Sequence, residues 1–589
     1  MRWVSLERPF VVAGALAVVL LSSAGSPLAN AATIDITIDG SHKFQTISAL
    51  GADINPHSWD HGNLKPALDL LIDHEGMKTF RVGMDMLDWE SDNDNSDPHT
   101  FNWDYYNPIY SGQTSFDTAY AGSNFADTWA VIDYLHHKGI PDSGIELSFM
   151  GPGPSWMGGS SLSSGEDDEF VEEVLSAAYY GYSHGHTFGL LSPDNEMDIS
   201  ANEGVTMSDT QYAAVLNRLA VRMNALGMND VKLVGPESCC NVGYADPMKA
   251  YPALMAKLAH FDFHNYNGND NGAADAVSGT GKDFWISEYA AWDQTFTYLN
   301  QGAAGLQMWE AYDSVYNHAV VNHRGTDPGN DSLTFGDIPL IAYDKTTGIY
   351  TPRSEFYYFG QLFKWVPIGA QRVYAHSGNT NVKIEAFEDA ATHRLTVVGQ
   401  NNSDSAQRLS IALNNMAAPT AFQDYQTNSE SHMARRTDVP VSADSATVTV
   451  PANTTFTLTG TAAVKAHPAS AVRFSRIQYD SPGSDTGSNA SLNAEWARIA
   501  NHSNRTKTLT GWTVRDGVGH VYTFPTFRLR SDARVTLHTG RGKNTATDLY
   551  WRKTHYVWKN SGGRAILKTS AGTTRDTCTW GRGSGSIAC

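Results

Sequence analysis

The chain has 589 residues, of which 41% are hydrophobic and 11% aromatic, and a formal net charge of −20. This is a globular composition with material for more than one core, about three to four domains by length, and it excludes a disordered or fibrous protein. Four cysteines in the whole sequence exclude a disulfide-dense scaffold.

The first segment reads as a secretory signal over residues 1–31. Arg2 and Arg8 precede a charge-free run from Phe10 to Leu21, and Ala29-Asn30-Ala31 offers the small-x-small site that signal peptidase cuts. The run is short for a bilayer span, and no later segment approaches ~20 uncharged apolar residues. A secreted, extracellular protein is expected, with cleavage near Ala31.

TIDITIDG at 33–40 alternates apolar and polar residues, so the N-terminal stretch 32–44 is expected to join a β-sandwich. From 45 to 365 helical and strand periodicities alternate. Amphipathic helices are indicated by Leu64, Ala67, Leu68, Leu71 and Ile72, by Phe125, Trp129, Ile132 and Leu135, and by the segment 209–226. Apolar strands are expected at 45–53, 78–84, 144–150, 187–192, 230–235, 261–266, 283–289 and 305–311. Eight strands separated by helices predict an α/β fold, a (β/α)8 TIM barrel.

Chemistry in such barrels sits at the C-terminal strand ends, so the polar groups that terminate the apolar runs are the candidates. They are Asp53, Arg81 and Asp85, Trp156 beyond the third strand, Asn195 and Glu196, Glu237, His264 and Tyr266, Glu288, and Trp309. Glu196 and Glu288 end the fourth and seventh strands, across the barrel mouth from one another. Cleaving a glycosidic bond with retention needs two carboxylates about 5–5.5 Å apart, one acting as acid/base and one as nucleophile. Asn195 is placed to bond a sugar 2-hydroxyl, and Tyr266 and Arg81 to hold Glu288 ionised. Trp156, Trp292 and Trp309 offer flat faces for sugar rings, though Trp292 and Trp309 taken singly suit core packing better. Glu237 reads as a structural or substrate-contacting carboxylate. Taken singly, a glutamate at a strand end is usually just solvated or salt-bridged; the pair with its neighbours changes that weighting.

GYSHG at 181–185 fits the G-x-S-x-G elbow of a serine esterase. Its context is reversed, with the helical FVEEVLSAAYY before it and the strand HTFGLL after it, so Ser183 reads as a loop residue. His184 and His186 lack a third ligand at zinc spacing. Adjacent Cys239 and Cys240 can pair only as a vicinal disulfide, which would stiffen the loop after Glu237; Cys578 and Cys589 can close a small loop.

SPDNE on the fourth strand, FWISE on the seventh, FHNYNG on the sixth, GPGPSWM after the third and YYFGQLFKWVPIGAQRV after the barrel resemble clan A glycoside hydrolases, specifically family 30, over roughly residues 33–460. The resemblance implies that Glu196 is the acid/base, Glu288 the nucleophile and Asn195 the 2-hydroxyl contact. From their strand-end positions Tyr266, His264, Arg81, Trp156, Trp309 and Asp53 are expected, with Asn195, to bind substrate, and the expected reaction needs no metal or organic cofactor. Where the family carries a glycine-rich first strand, this chain reads SALGADINPHSW, and Asp53 and His57 would line that sugar subsite. The expected activity is a retaining O-glycoside hydrolase acting on β-linked galactan, glucan, xylan or a related polysaccharide. The readings that compete with it are a non-catalytic carbohydrate-binding or wall-associated barrel and, less well supported, a secreted esterase.

Residues 366–460 alternate as antiparallel strands of a side domain, and GTAAVKAHPASA marks a linker at 461–470. Beyond it the charge reverses: 18 Lys and Arg face 7 Asp and Glu from residue 471 onward. LNAEWARIANHS, LTGWTVRD and YTFPTFRLRSDARVTLHTGRG resemble the lamin-tail domain, an immunoglobulin-like all-β module, here 471–589. Its positive charge favours an anionic polymer or cell-wall contact, or merely keeps the sandwich soluble. Nucleic acid is not expected, because base-stacking aromatics are not clustered there.

Overall fold

The structure, a computed structural model, describes residues 33–109, 124–200, 202–264, 266, 272–312, 320–321, 340–344, 348–462, 471–581 and 585–589. The signal segment and most of the linker lie outside them. The chain divides into two compact units, Met1–Ala463 and Val464–Cys589. No helix among the described residues is long and apolar enough to cross a membrane.

The larger unit is built on a curled parallel sheet of β2 (Ala49–Ile54), β3 (Thr79–Asp85), β4 (Ile145–Met150), β5 (Leu190–Ser192), β6 (Lys232–Leu233), β7 (Pro236–Ser238), β8 (Phe261–Phe263), β9 (Phe284–Tyr289) and β10 (Gly305–Tyr312). Its order is β6-β5-β4-β3-β2-β10-β9-β8-β7. The two end strands are consecutive in the chain, so the sheet closes into a TIM-like barrel. Eight runs were expected, and the ninth strand comes from a break in the fifth. Lys232 pairs with Leu190 and Pro236 with Asp262, and between them Gly235 has φ 148°, a conformation side chains disfavour. All six residues of β2 and of β9 are buried, as parallel strands covered on both sides require. At Gly51 a Cβ would stand 1.7 Å from the Thr79 carbonyl oxygen, so only glycine lets β2 and β3 approach this closely.

β1 (Ile34–Thr46) does not enter the barrel. It runs antiparallel to Gln371–Ser377 and parallel to Gln407–Asn414 in the middle of a ten-stranded sheet. Its alternation buries Ile34, Ile36 and Ile38 against Val373, Leu409, Ile411 and Phe456, the sandwich core that period-2 patterning specifies. The helix Ser354–Phe363 ties barrel to sandwich. Phe356, Phe359 and Phe363 enter the barrel core, while Gln361 Nε2 donates to Thr427 Oγ1 at 2.8 Å.

The smaller unit is all-β apart from the short helix Asn489–Ala494. A five-stranded sheet containing Val472–Gln478, Trp496–Asn501 and Arg534–His538 and a four-stranded sheet containing Gly562–Lys568 and Thr574–Gly581 enclose Phe474, Ile477, Ile499, Val514, Leu537 and Leu567. A Cys578–Cys589 disulfide closes its end.

Candidate active site

Four strands and the segments that follow them supply the centre. β3 contributes Arg81, the segment after β5 contributes Asn195 and Glu196, β8 leads into His264 and Tyr266, and β9 contributes Glu288. Arg81 is fully buried and reaches four carboxylates: Glu237 and Glu288 at 3.1 Å each, Asp53 at 3.4 Å and Glu146 at 3.5 Å. Its Nη2 also donates to Asn195 Oδ1 at 2.7 Å. That bond fixes which way the amide points: Asn195 Nδ2 donates to the Glu203 carbonyl at 3.2 Å, and a second amide N–H remains for a ligand.

Tyr266 is 39% exposed, with its hydroxyl turned inward to donate to Glu288 Oε1 at 2.8 Å. Burial, with Glu288 beside it, pushes that hydroxyl well above the phenol range, so it stays a donor. His264 is fully buried, with Nδ1 2.8 Å from Glu196 and Nε2 2.8 Å from Glu237. Burial alone would lower its pKa, but Glu288, Glu196 and Glu237 together hold it well above the imidazole range. Both ring nitrogens therefore donate. Glu237 is also fully buried. Desolvation works against its charge, yet Arg81 and His264 prevail and lower it to about 2, so it is the counter-ion that this cationic pair needs.

Glu196, His264 and Glu288 each offer an atom within 4.8 Å of the others, and the two glutamates are 6% and 7% exposed at the cleft floor. Glu196 (φ 50°) and Glu237 (φ 57°) both occupy the left-handed region, and the Glu196 N–H donates to the Glu237 carbonyl at 3.0 Å. Strained residues coupled in this way mark a site whose surroundings over-determine it. Fully buried Asp194 pins the same turn by accepting from the N–H groups of Asn195 (3.1 Å) and Val205 (2.9 Å).

Above these residues lies a cleft of about 750 Å³, lined by Asn55, His57, Asp85, Asn195, Glu196, Glu203, Cys239, Tyr266, Glu288 and Trp309 among others. Among the described residues two side-chain groups have metal-ligand spacing: Glu196, His264 and Glu288, and beneath them Glu146, Glu237 and Asp262. The first contains a histidine held protonated, and in the second burial pushes Glu146 and Asp262 well above the carboxylate range.

The described residues of the larger unit fold like solved glycoside hydrolases. A family 30 subfamily 8 xylanase from Clostridium acetobutylicum matches with TM-score 0.55 at 17% identity, covering 73% of this chain and 100% of its own. A family 30 endoxylanase from Clostridium papyrosolvens gives 0.56 at 17%, with the same coverage. An endo-β1,6-glucanase gives 0.51 at 14%, covering 73% and 94%. The barrel and its sandwich have the family 30 glycoside hydrolase fold. Residues 465–582 match the family model of the Lamin Tail Domain. No curated protein matches the sequence significantly.

Within that fold several expected contacts move. Asp53, Arg81 and His264 were expected to touch substrate, but they are 1%, 0% and 0% exposed and stand behind Asn195 and the glutamates. Trp156 does not line the cleft; its indole N–H donates to the Glu90 carbonyl at 3.1 Å. Trp292 packs edge-on against Phe296 and Phe359 in the core, which leaves Trp309 as the tryptophan at the cleft. Ser183 lies in the helix Asp167–His184 with its hydroxyl donating to the Tyr180 carbonyl, so no nucleophile elbow exists there. Sequence reading missed Glu203, whose carboxyl is raised by burial and by Glu196. It also passed over Asp194, which stands in the SPDNE motif beside Asn195 but faces into the fold, and Asp198 in the turn beyond it.

Proposed function

We propose that the protein is a secreted retaining β-glycoside hydrolase. The observation that carries this reading is the pair Glu196 and Glu288, within 4.8 Å of each other at the floor of an open cleft. An inverting pair would stand ~6.5–9.5 Å apart to admit a water. Glu288, aligned by Tyr266 and Arg81, attacks the anomeric carbon. Glu196 protonates the departing oxygen and then takes a proton from the water that releases the sugar. The free N–H of Asn195 meets the 2-hydroxyl as the oxocarbenium-like state forms. His264 donates to Glu196, and the Glu237–Arg81 ion pair keeps the charge beneath the site balanced. Export rests on the 1–31 segment. The substrate is a β-linked galactan, glucan or xylan, in line with the xylanases and the endo-β1,6-glucanase whose fold it shares. The C-terminal unit, with its excess of basic residues, provides a contact to an anionic wall polymer.

The test is hydrolysis of aryl β-glycosides and β-glycans by wild type, Glu288→Ala, Glu196→Ala and Ser183→Ala. We expect wild type and Ser183→Ala to cleave one substrate class, and each glutamate variant to lose about 10³-fold or more on the polysaccharide. Binding without cleavage by wild type would instead make the barrel a glycan-binding scaffold.

A further inference from the structure

The segment 237–240 is hydrogen-bonded on one side to the turn that carries Glu196 and on the other to the segment that carries His264 and Tyr266. On one side the Glu237 carbonyl accepts from the Glu196 N–H at 3.0 Å. Two residues past Glu196, Asp198 turns back, and its carboxylate oxygens accept from the N–H of Cys239 (Oδ1, 2.9 Å) and of Cys240 (Oδ2, 2.9 Å). On the other side the Ser238 carbonyl accepts from the His264 N–H at 3.0 Å and the Cys239 carbonyl from the Tyr266 N–H at 3.1 Å. Tyr266 in turn holds Glu288 through its hydroxyl. The path from the Glu196 turn to the nucleophile thus runs Asp198, Cys239, Tyr266, Glu288.

The Cys239–Cys240 disulfide closes a small ring, in the bend just past β7, between the two residues whose successive amides Asp198 clamps. An ionised acceptor makes these the stronger, charge-assisted kind of hydrogen bond. Cys239 also forms part of the cleft lining, so the ring lies beside the reacting groups.

We propose that Asp198 and the Cys239–Cys240 disulfide form a positioning bridge that sets the acid/base glutamate against the nucleophile. This rests on the roles of Glu196 and Glu288 proposed above. The bridge touches no reacting atom, and its effect falls on the step that needs Glu196 in register with the leaving oxygen.

The experiment compares wild type, Asp198→Asn and the double variant Cys239→Ser/Cys240→Ser on two glycosides of one sugar, a natural glycan and the 2,4-dinitrophenyl glycoside, whose leaving group needs no proton. Thermal midpoints are recorded alongside. Asn keeps the shape of Asp198 but replaces one acceptor oxygen with a donor. We expect kcat on the glycan to fall about 10-fold or more in both variants with KM nearly unchanged, and first-step turnover of the dinitrophenyl glycoside to fall by less than about 3-fold. Equal losses on both substrates that follow the thermal midpoint would reduce the bridge to a fold-stabilising contact and overturn the proposal. Full glycan activity in Asp198→Asn would overturn it and leave the catalytic assignment standing. A wild type that cleaves neither glycoside would overturn the catalytic assignment and the bridge together.

Discussion

Arg81 carries more of this site than any other single side chain. It is wholly buried, and its guanidinium is shared among Asp53, Glu146, Glu237 and Glu288. Removing it leaves carboxylates in a low-dielectric interior without their cation, so Arg81→Met should cost about 3–5 kcal/mol of stability, measured by chemical denaturation. Glu237 gives a pH signature. Its folded-state pKa, about 2, lies below the ordinary carboxylate value, so between those limits the folded chain binds fewer protons than the unfolded one. Its stabilisation is therefore present above about pH 4.5 and lost as pH falls toward 2. Denaturation midpoints taken from pH 5 to 2.5 should fall less steeply in Glu237→Gln than in wild type. Glu196, Glu288, Asn195 and Tyr266 were legible in the sequence because each ends or closely follows an apolar run. Arg81 and His264 were legible as site residues but not as buried ones, because a strand-end position does not reveal how many carboxylates close over it.

At the level of elements, the turn after β5 determines whether the site assembles. Gly204 passes so near this turn that a Cβ would lie 1.7 Å from the Asn195 carbonyl oxygen. Gly204→Ala must therefore displace the Asn195–Glu196 backbone, and we expect about 10²-fold or more loss of glycan turnover with a smaller relative change in thermal midpoint. Barrel strands were readable as apolar runs because both faces of a parallel sheet are covered. What periodicity missed was the interruption of the fifth strand at Gly235, which extends that strand's second piece through Glu237 and turns a residue expected beyond the strand into a buried counter-ion. Trp156 was misread for a related reason: a tryptophan after a strand end reaches either the cleft or the neighbouring loop, and the Glu90 carbonyl decides in favour of the loop.

The whole molecule comprises two units with separate cores and opposite charge balance. Calorimetry should resolve two unfolding transitions, and a chain ending at Ala463 should keep the proposed glycosidase turnover within about 2-fold of the full protein's. The proposed contact of the C-terminal unit with an anionic glycan predicts retention that weakens as salt rises through about 0.15 M, where charges beyond roughly 8 Å are screened. The reversal of charge at residue 471 made this division visible in the sequence. The two-ended construction of the sandwich was visible only in outline, since alternation in TIDITIDG announces a strand without naming its partners.

Those partners impose an order of events. Thr46 pairs with Gln371 and Ile36 with Ser377 and Ile411, so the earliest described strand has no neighbour to bond until more than 320 further residues have emerged. During vectorial synthesis or translocation the sheet cannot close around β1 before the barrel sequence has passed, and its three isoleucines stay without their native cover for that interval. Loop closure over such a distance is slow. A chain that must wait this long for its first strand to be enclosed depends on whatever shields that strand in the meantime, and a break anywhere between residues 46 and 371 would leave the sandwich held together from two separate polypeptides.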